Sequence, residues 1–265
     1  MSESVSDADA PEAPTRSFRA TVNADAIQTA VDLVAALLDE CHLSFDEDGV
    51  RMWGMDPATV ASVDLTLERA AFDDYEATGV RSGVDLSRLG DVVGMADSGQ
   101  SVHLELDHET RTLEIRFGGL EYALTLIDPE TIRRPPDRPS ENFDFAGGVV
   151  ADTDDFDWAV RAADMVSDHL ALGIDAEEDA FFVEAEGDTD DVSLVLTADD
   201  LVEVRPGEAR SLFSLDYLSV IGRAMPSDLD VDLRLGTEQP VAIEYEFADE
   251  AGSVAYFVAP RISRR

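Results

Sequence analysis

Residues 86–106 read LSRLGDVVGMADSGQSVHLEL, and residues 215–235 read LDYLSVIGRAMPSDLDVDLRL. Set one above the other, Leu86, Leu89 and Val92 fall on Leu215, Leu218 and Ile221. Val102, Leu104 and Leu106 fall on Val231, Leu233 and Leu235, at the same offset of 129 positions. That offset also carries Leu43 and Phe45 onto Leu172 and Ile174, and Leu65 and Leu67 onto Leu194 and Leu196. The shared positions are apolar and recur at helix or strand spacing, so what is duplicated is a folding pattern. One register held through four segments predicts two similar domains in tandem.

At 265 residues the chain is long enough to bury two cores. It carries 58 acidic and 19 basic residues, a formal net charge of -39, and every basic residue is Arg. Such acidity is common in disordered chains, but 45% hydrophobic content with clear periodicity indicates a folded one. A folded, uniformly acidic surface points to life in concentrated salt, where repulsion between carboxylates is screened within ~3 Å at 1 M. The missing Lys excludes a Walker A loop, a kinase-type Lys and a Schiff-base Lys. Cys41 is the single cysteine, which excludes an intrachain disulfide and a cysteine metal cluster. His42, His103, His108 and His169 lie at no metal-ligand spacing, and no catalytic constellation or cofactor motif emerges. The acidic stretch Glu186–Asp191 lacks the calcium-loop pattern and reads as a solvated turn. With no apolar run near 18 residues and no signal pattern, a cytoplasmic protein without a membrane partner is expected.

Met1–Thr15 has no periodicity and reads as an acidic flexible tail. Residues 16–127 form the expected first domain: strand, helix, several strands, helix, then further strands. The first helix is predicted from about Ala24 to Asp39, capped by Asn23 or Asp25, with Ile27, Val31, Val34 and Leu38 as its stripe. Leu120, Tyr122, Leu124 and Leu126 alternate in the last strand. Residues 128–142 hold Pro129, Pro135, Pro136 and Pro139 and read as an extended linker. Residues 143–265 repeat the order, with Phe156, Val160, Ala163 and Val166 on the first helix. The fold class is therefore α+β, with two amphipathic helices docked on antiparallel sheet in each domain and sheet edges left open.

Three segments carry a family resemblance. They are VRMWGMDPATV at 50–60, YALTLID at 122–128 running into the linker, and APRI at 259–262, with SLDYL at 214–218 as a last helix. In this order, and with the duplication, the chain resembles the proliferating cell nuclear antigen family, the DNA clamp fold of archaeal and eukaryotic replication. Its acidity is that of relatives from halophilic archaea. The resemblance implies a sliding clamp: a homotrimeric ring of six similar domains, sheets outside and helices around duplex DNA. Such a clamp is not an enzyme but a processivity factor that tethers DNA polymerase, clamp loader, flap nuclease and DNA ligase in replication and repair.

The resemblance also implies sites. Short peptide motifs of partners would dock under the linker, on Met55, Val60, Ile127, Pro240, Ala259, Pro260 and Ile262; the alternative for Met55 and Val60 is ordinary core. Arg133, Arg134 and Pro136 stand where the family often has apolar strap residues. Subunits would join by pairing the strand of Leu120, Tyr122 and Leu124 with that of Val192, Leu194 and Leu196 in the next chain; both could instead be interior strands. Arg88, Arg161 and Arg223 fall at DNA-facing positions, although a solvated face would also suit them, and the first helix offers Gln28, Thr29 and Asp32 instead of cations. From other classes, a salt-adapted hydrolase using carboxylates and a metal, and a clamp-like scaffold that does not act on DNA, stay open.

Overall fold

The computed structural model describes residues 16–135 and 143–261, so the N-terminal tail, the later linker and Ile262 lie outside the described residues. In the first half come β1 Arg16–Asn23, α1 Ala24–Ala35, β2 Glu40–Asp46, β3 Gly49–Met55, β4 Ala61–Glu68, β5 Phe72–Ala77 and β6 Val80–Asp85. Then follow α2 Leu86–Val93, β7 Ser101–Asp107, β8 Thr112–Phe117 and β9 Leu120–Thr125. The second half contains β10 Gly147–Asp152, α3 Thr153–Asp164, β11 His169–Asp175, β12 Ala180–Glu186, β13 Asp191–Leu196, β14 Glu203–Arg205 and β15 Ala209–Ser214. It closes with α4 Leu215–Ala224, β16 Asp230–Leu235, β17 Val241–Phe247 and β18 Gly252–Val258. Each half thus runs strand, helix, five strands, helix, three strands, and the fold is the two-domain α+β arrangement that the duplication predicts.

The repeat extends to the capping chemistry. Asn23 caps α1 by accepting from Asp25 N, and Asp152, at the equivalent position, caps α3 by accepting from Asp154 N. Asp85 does the same for α2, whereas its counterpart Ser214 makes no side-chain cap bond. The buried faces are Ile27, Val31 and Val34 of α1, and Phe156, Val160 and Ala163 of α3. On α2 they are Leu86, Leu89 and Val92, and on α4 Leu215, Leu218 and Ile221. Each large side chain so buried contributes ~1.5–3 kcal/mol. Among the described residues, no helix is long and apolar enough to cross a membrane.

Every strand pair is antiparallel, in three sheets. The order β5-β1-β7-β8-β9 makes one and β13-β12-β11-β15 another. Between them the order β14-β10-β16-β17-β18-β4-β3-β2-β6 makes a nine-stranded sheet that spans both halves through β18 and β4. The helices pack in pairs, α1 on α2 and α3 on α4, while α1 also meets α4. Across this junction Tyr256, fully buried on β18, donates its hydroxyl to Leu33 O of α1 at 2.9 Å.

Several expectations need correction. α1 ends at Ala35 rather than Asp39, because tighter bonds such as Leu37 N to Val34 O at 3.2 Å turn the chain toward β2. Leu38 stays buried, filling the space over Gly54, where a Cβ would stand 2.5 Å from Leu38 Cδ1. Val166 likewise follows the end of α3. β5 shows no period of two, because the extra residue Asp73, set against the step from Thr21 to Val22 of β1, leaves its buried Phe72 and Tyr75 three apart. Tyr122 is exposed despite its place in the alternation, since β9 is an edge strand.

The β17–β18 turn holds Ala248, Asp249 and Glu250 at φ of 53°, 54° and 67°, in the left-handed region. Ala248 is exposed, so its Cβ contributes strain without compensating burial. Ala248→Gly is expected to raise stability by about 1 kcal/mol in denaturant melts at molar KCl.

Candidate functional site

The segment joining β3 to β4 is organised by one carboxylate. Asp56 is 4% exposed and accepts from Ala58 N at 2.9 Å, Val60 N at 2.7 Å, Ala61 N at 2.7 Å and the Tyr217 hydroxyl at 3.0 Å. Four donors satisfy the buried charge. Tyr217 comes from the first turn of α4, so the contact ties the two halves together. Burial, and then the bond to Asp56, push the Tyr217 phenol up to about 12. With this loop set, Val60 O accepts from Ala259 N at 2.8 Å as the chain leaves β18, and Arg261 N reaches Leu212 O at 2.6 Å. The pairing of Val241 with Val258 places Pro240 beside Ala259.

The linker begins on the same sheet. Ile127 exchanges two backbone bonds with Gly83 of β6, at 2.8 and 2.9 Å. Ile132 covers Gly83 so closely that a Cβ there would stand 2.3 Å from Ile132 Cδ1. Further on, Arg133 O lies 3.3 Å from His42 Nε2. That imidazole is 3% exposed and stacks on Trp53 at 5.2 Å, while the Arg51 guanidinium sits 4.8 Å over the same indole. Met55, Val60, Ile127, Pro240, Ala259 and Pro260 are all half-buried, which suits a surface depression better than a core. Ile262 lies outside the described residues. Sequence reasoning missed Asp56, although an Asp two residues before a backbone N–H is Asx-turn chemistry. It also missed Tyr217 and His42, whose partners Asp56 and Arg133 are distant in the chain, and Trp53, which stacks on His42.

The exposed faces of the helices are acidic. Arg88, Arg161 and Arg223 are exposed, but the four helices carry eight Asp against these three Arg. Arg161 pairs with Asp157 and Arg223 with Asp164, each at 3.4 Å. Gln28 is occupied structurally, donating to Val93 O at 2.7 Å and Ala96 O at 3.0 Å.

Strands β9 and β13 each end a sheet, and among the described residues their outer backbone edges are open. Their repeat equivalents are β18 and β4, which are joined over seven residue pairs. Leu124 of β9 is buried and Leu120 half-buried, while Val192, Leu194 and Leu196 of β13 are half-buried. The stretch Glu186–Asp191 is the hairpin turn before β13, closed by Gly187 N to Asp190 O at 3.0 Å.

Two outcomes follow from this geometry. Asp56→Ala strands three backbone N–H groups and the Tyr217 hydroxyl, and is expected to cost about 3 kcal/mol in denaturant melts. Burial holds the His42 imidazole below its ordinary 6.5; Arg134 and Arg81 act in the same sense, and the Arg133 carbonyl and Glu130 oppose it. Below 6.5 the unfolded chain therefore binds more protons than the folded one, so stability falls as pH drops from 6.5 toward the folded-state value. His42→Gln should flatten that part of the stability curve between about pH 7.5 and 5.5.

Residues 18–121 match the family described as proliferating cell nuclear antigen, N-terminal domain. The DNA polymerase sliding clamps of Haloarcula marismortui and Natronomonas pharaonis are each 53% identical over 245 residues, covering 92% of this chain and 98% of theirs. Among solved structures, A. fulgidus PCNA bound to the C-terminal region of FEN-1 superposes with a TM-score of 0.87 at 32% identity. That match covers 94% of this chain and 100% of the other. PCNA from Thermococcus kodakaraensis gives 0.82 at 27%, covering 92% and 100%. With identity at this level running through both halves and the interdomain sheet, the chain belongs to the proliferating cell nuclear antigen family of DNA sliding clamps.

Proposed function

We propose that this protein is a DNA sliding clamp, a cytoplasmic, non-enzymatic processivity factor that closes as a homotrimer around duplex DNA. Residues 16–127 and 143–265 act as its two domains, and 128–142 as the strap between them. One observation carries the reading. β9 and β13 are open edges, and each is the repeat equivalent of a strand that is already paired inside the chain, β18 and β4. Joining β9 of one copy to β13 of the next repeats the internal junction between copies, with Leu120, Tyr122 and Leu124 facing Val192, Leu194 and Leu196. A head-to-tail contact of this kind closes into a ring when its rotation permits. The helices then line the hole, with Arg88, Arg161 and Arg223 toward DNA.

Replicative polymerase, clamp loader, flap nuclease and DNA ligase are the proposed partners. They dock through short peptides on Met55, Val60, Ile127, Pro240, Ala259, Pro260 and Ile262. The half-buried state of the six described positions supports this, and so does the relative whose structure holds a FEN-1 C-terminal region. An apolar anchor side chain inserted there would contribute ~1.5–3 kcal/mol.

Light scattering in molar KCl should give three times 28.7 kDa, loosening as salt falls and repulsion between chains of charge -39 grows. A monomer at every salt concentration would refute the ring. Rings loaded on closed circular duplex should persist there and leave quickly once the circle is cut. Equal retention on both templates would refute encirclement. Met55→Glu should weaken a flap-nuclease C-terminal peptide at least about tenfold by calorimetry, with the trimer mass unchanged.

A further inference from the structure

The chain has two tryptophans, and they stand in opposite environments. Trp53 is 8% exposed beneath the strap, whereas Trp158 on α3 is 58% exposed. On α3 the residues Phe156, Ala159, Val160 and Ala163 are buried against the sheets. At 100° per residue Trp158 projects from the opposite side, the side that faces the hole in the proposed ring. Arg161 lies one turn further along this face, and Met165, 85% exposed, two turns along, just past the helix end. The repeat equivalent of Trp158 in α1 is Thr29, so the indole belongs to the second half alone.

A large aromatic held in water is unusual and needs a reason. Among the described residues Trp158 stacks on no ring and lies under no guanidinium. The Arg residues of α3 and α4 are engaged, Arg161 with Asp157 and Arg223 with Asp164. Asp154 and Asp155 are exposed on the same helix, so the face offers phosphate little Coulombic attraction. An indole has two other means of contact. Its body is apolar, and its Nε1–H is a neutral hydrogen-bond donor.

Resting on the sliding-clamp reading, we propose that Trp158 is a non-ionic contact to the duplex inside the ring. The indole packs on the deoxyribose edge of the backbone and donates Nε1–H to a phosphate oxygen. Cationic contacts to phosphate lose strength steeply with salt, through counterion release. A neutral donor and an apolar surface release no counterions, and apolar contact is strengthened by salts excluded from the surface. Trp158 therefore gives the acidic hole a grip that survives molar salt, where attraction is screened within ~3 Å.

The test uses the full chain as Trp53→Phe, which leaves Trp158 as the sole indole. Rings are loaded on nicked circular duplex by a clamp loader and ATP in molar KCl. On loading, Trp158 emission is expected to move to shorter wavelength and acrylamide quenching to fall. Trp158→Ala should shorten residence on linearised template about threefold at every salt concentration. Trp158→Arg should restore residence only at low salt. Should the Trp53→Phe ring prove unstable, the difference spectrum between the wild-type ring and Trp158→Phe reads the same quantity. Loaded rings with unchanged emission and quenching would overturn the contact, as would Trp158→Ala escape times equal to wild type. A spectral shift on trimer formation alone, without DNA, would overturn it in favour of a subunit contact. Loss of rings from closed circles as fast as from linear template would instead overturn the clamp reading.

Discussion

The pairing of β18 with β4, from Gly252 opposite Leu67 to Val258 opposite Ala61, is the constraint on which the rest depends. It merges strands from both halves into one nine-stranded sheet and so fixes how the halves sit. Two side chains reinforce it, Tyr256 from β18 onto α1 and Tyr217 from α4 onto Asp56. The proposed partner surface is a by-product of the same junction. Val60 precedes β4 and Ala259 follows β18, and the bond between them extends the pairing by one step. Replacing this junction with a flexible tether would leave two folded halves and no defined depression between chain end and strap.

Charge is managed locally. Arg51 pairs with Asp64 at 2.5 Å, Arg210 with Glu184 at 2.5 Å and Arg111 with Asp128 at 3.0 Å. Arg205 with Asp232, which lies one strand beyond β10, and Arg234 with Glu244 on the adjacent β17, do the same across the large sheet. Exposed pairs of this kind contribute only ~0–1 kcal/mol each. Their effect here is to relieve acid-on-acid repulsion where strands crowd. Guanidinium groups so engaged are not free for a polyanion, and Asp128 shows the benefit to the acid. Its backbone bond from Glu130 and then its Arg111 partner hold its carboxyl below the usual range.

Much of the fold was legible because the pattern occurs twice. A short helix such as α2 is ambiguous alone, but Leu86, Leu89 and Val92 recurring as Leu215, Leu218 and Ile221 removed the ambiguity. Legibility failed where no periodicity survives, as in β5, where the extra residue Asp73 puts Phe72 and Tyr75 three residues apart. It failed also at helix ends, since Leu38 keeps its apolar stripe position after the helix has stopped. The candidate pocket was legible only through resemblance. Its residues are ordinary apolar types, and their organiser, Asp56, acts through backbone N–H groups that no side-chain pattern displays. Trp158 was overlooked because a tryptophan in an amphipathic helix is usually read as core.

The open edges at β9 and β13 have a geometric consequence. They are different surfaces, so in the proposed ring one copy would accept another head to tail, and nothing in a single contact counts how many copies follow. In that proposed ring the count would be set by the turn accumulated per copy, which would depend on how the central sheet is bent. A substitution that flattened this sheet, far from either edge, would leave every edge-to-edge bond available and yet prevent the last copy from meeting the first. The product would be an open helical filament growing with concentration, so closure of the proposed ring would depend on the sheet's curvature as much as on the interface.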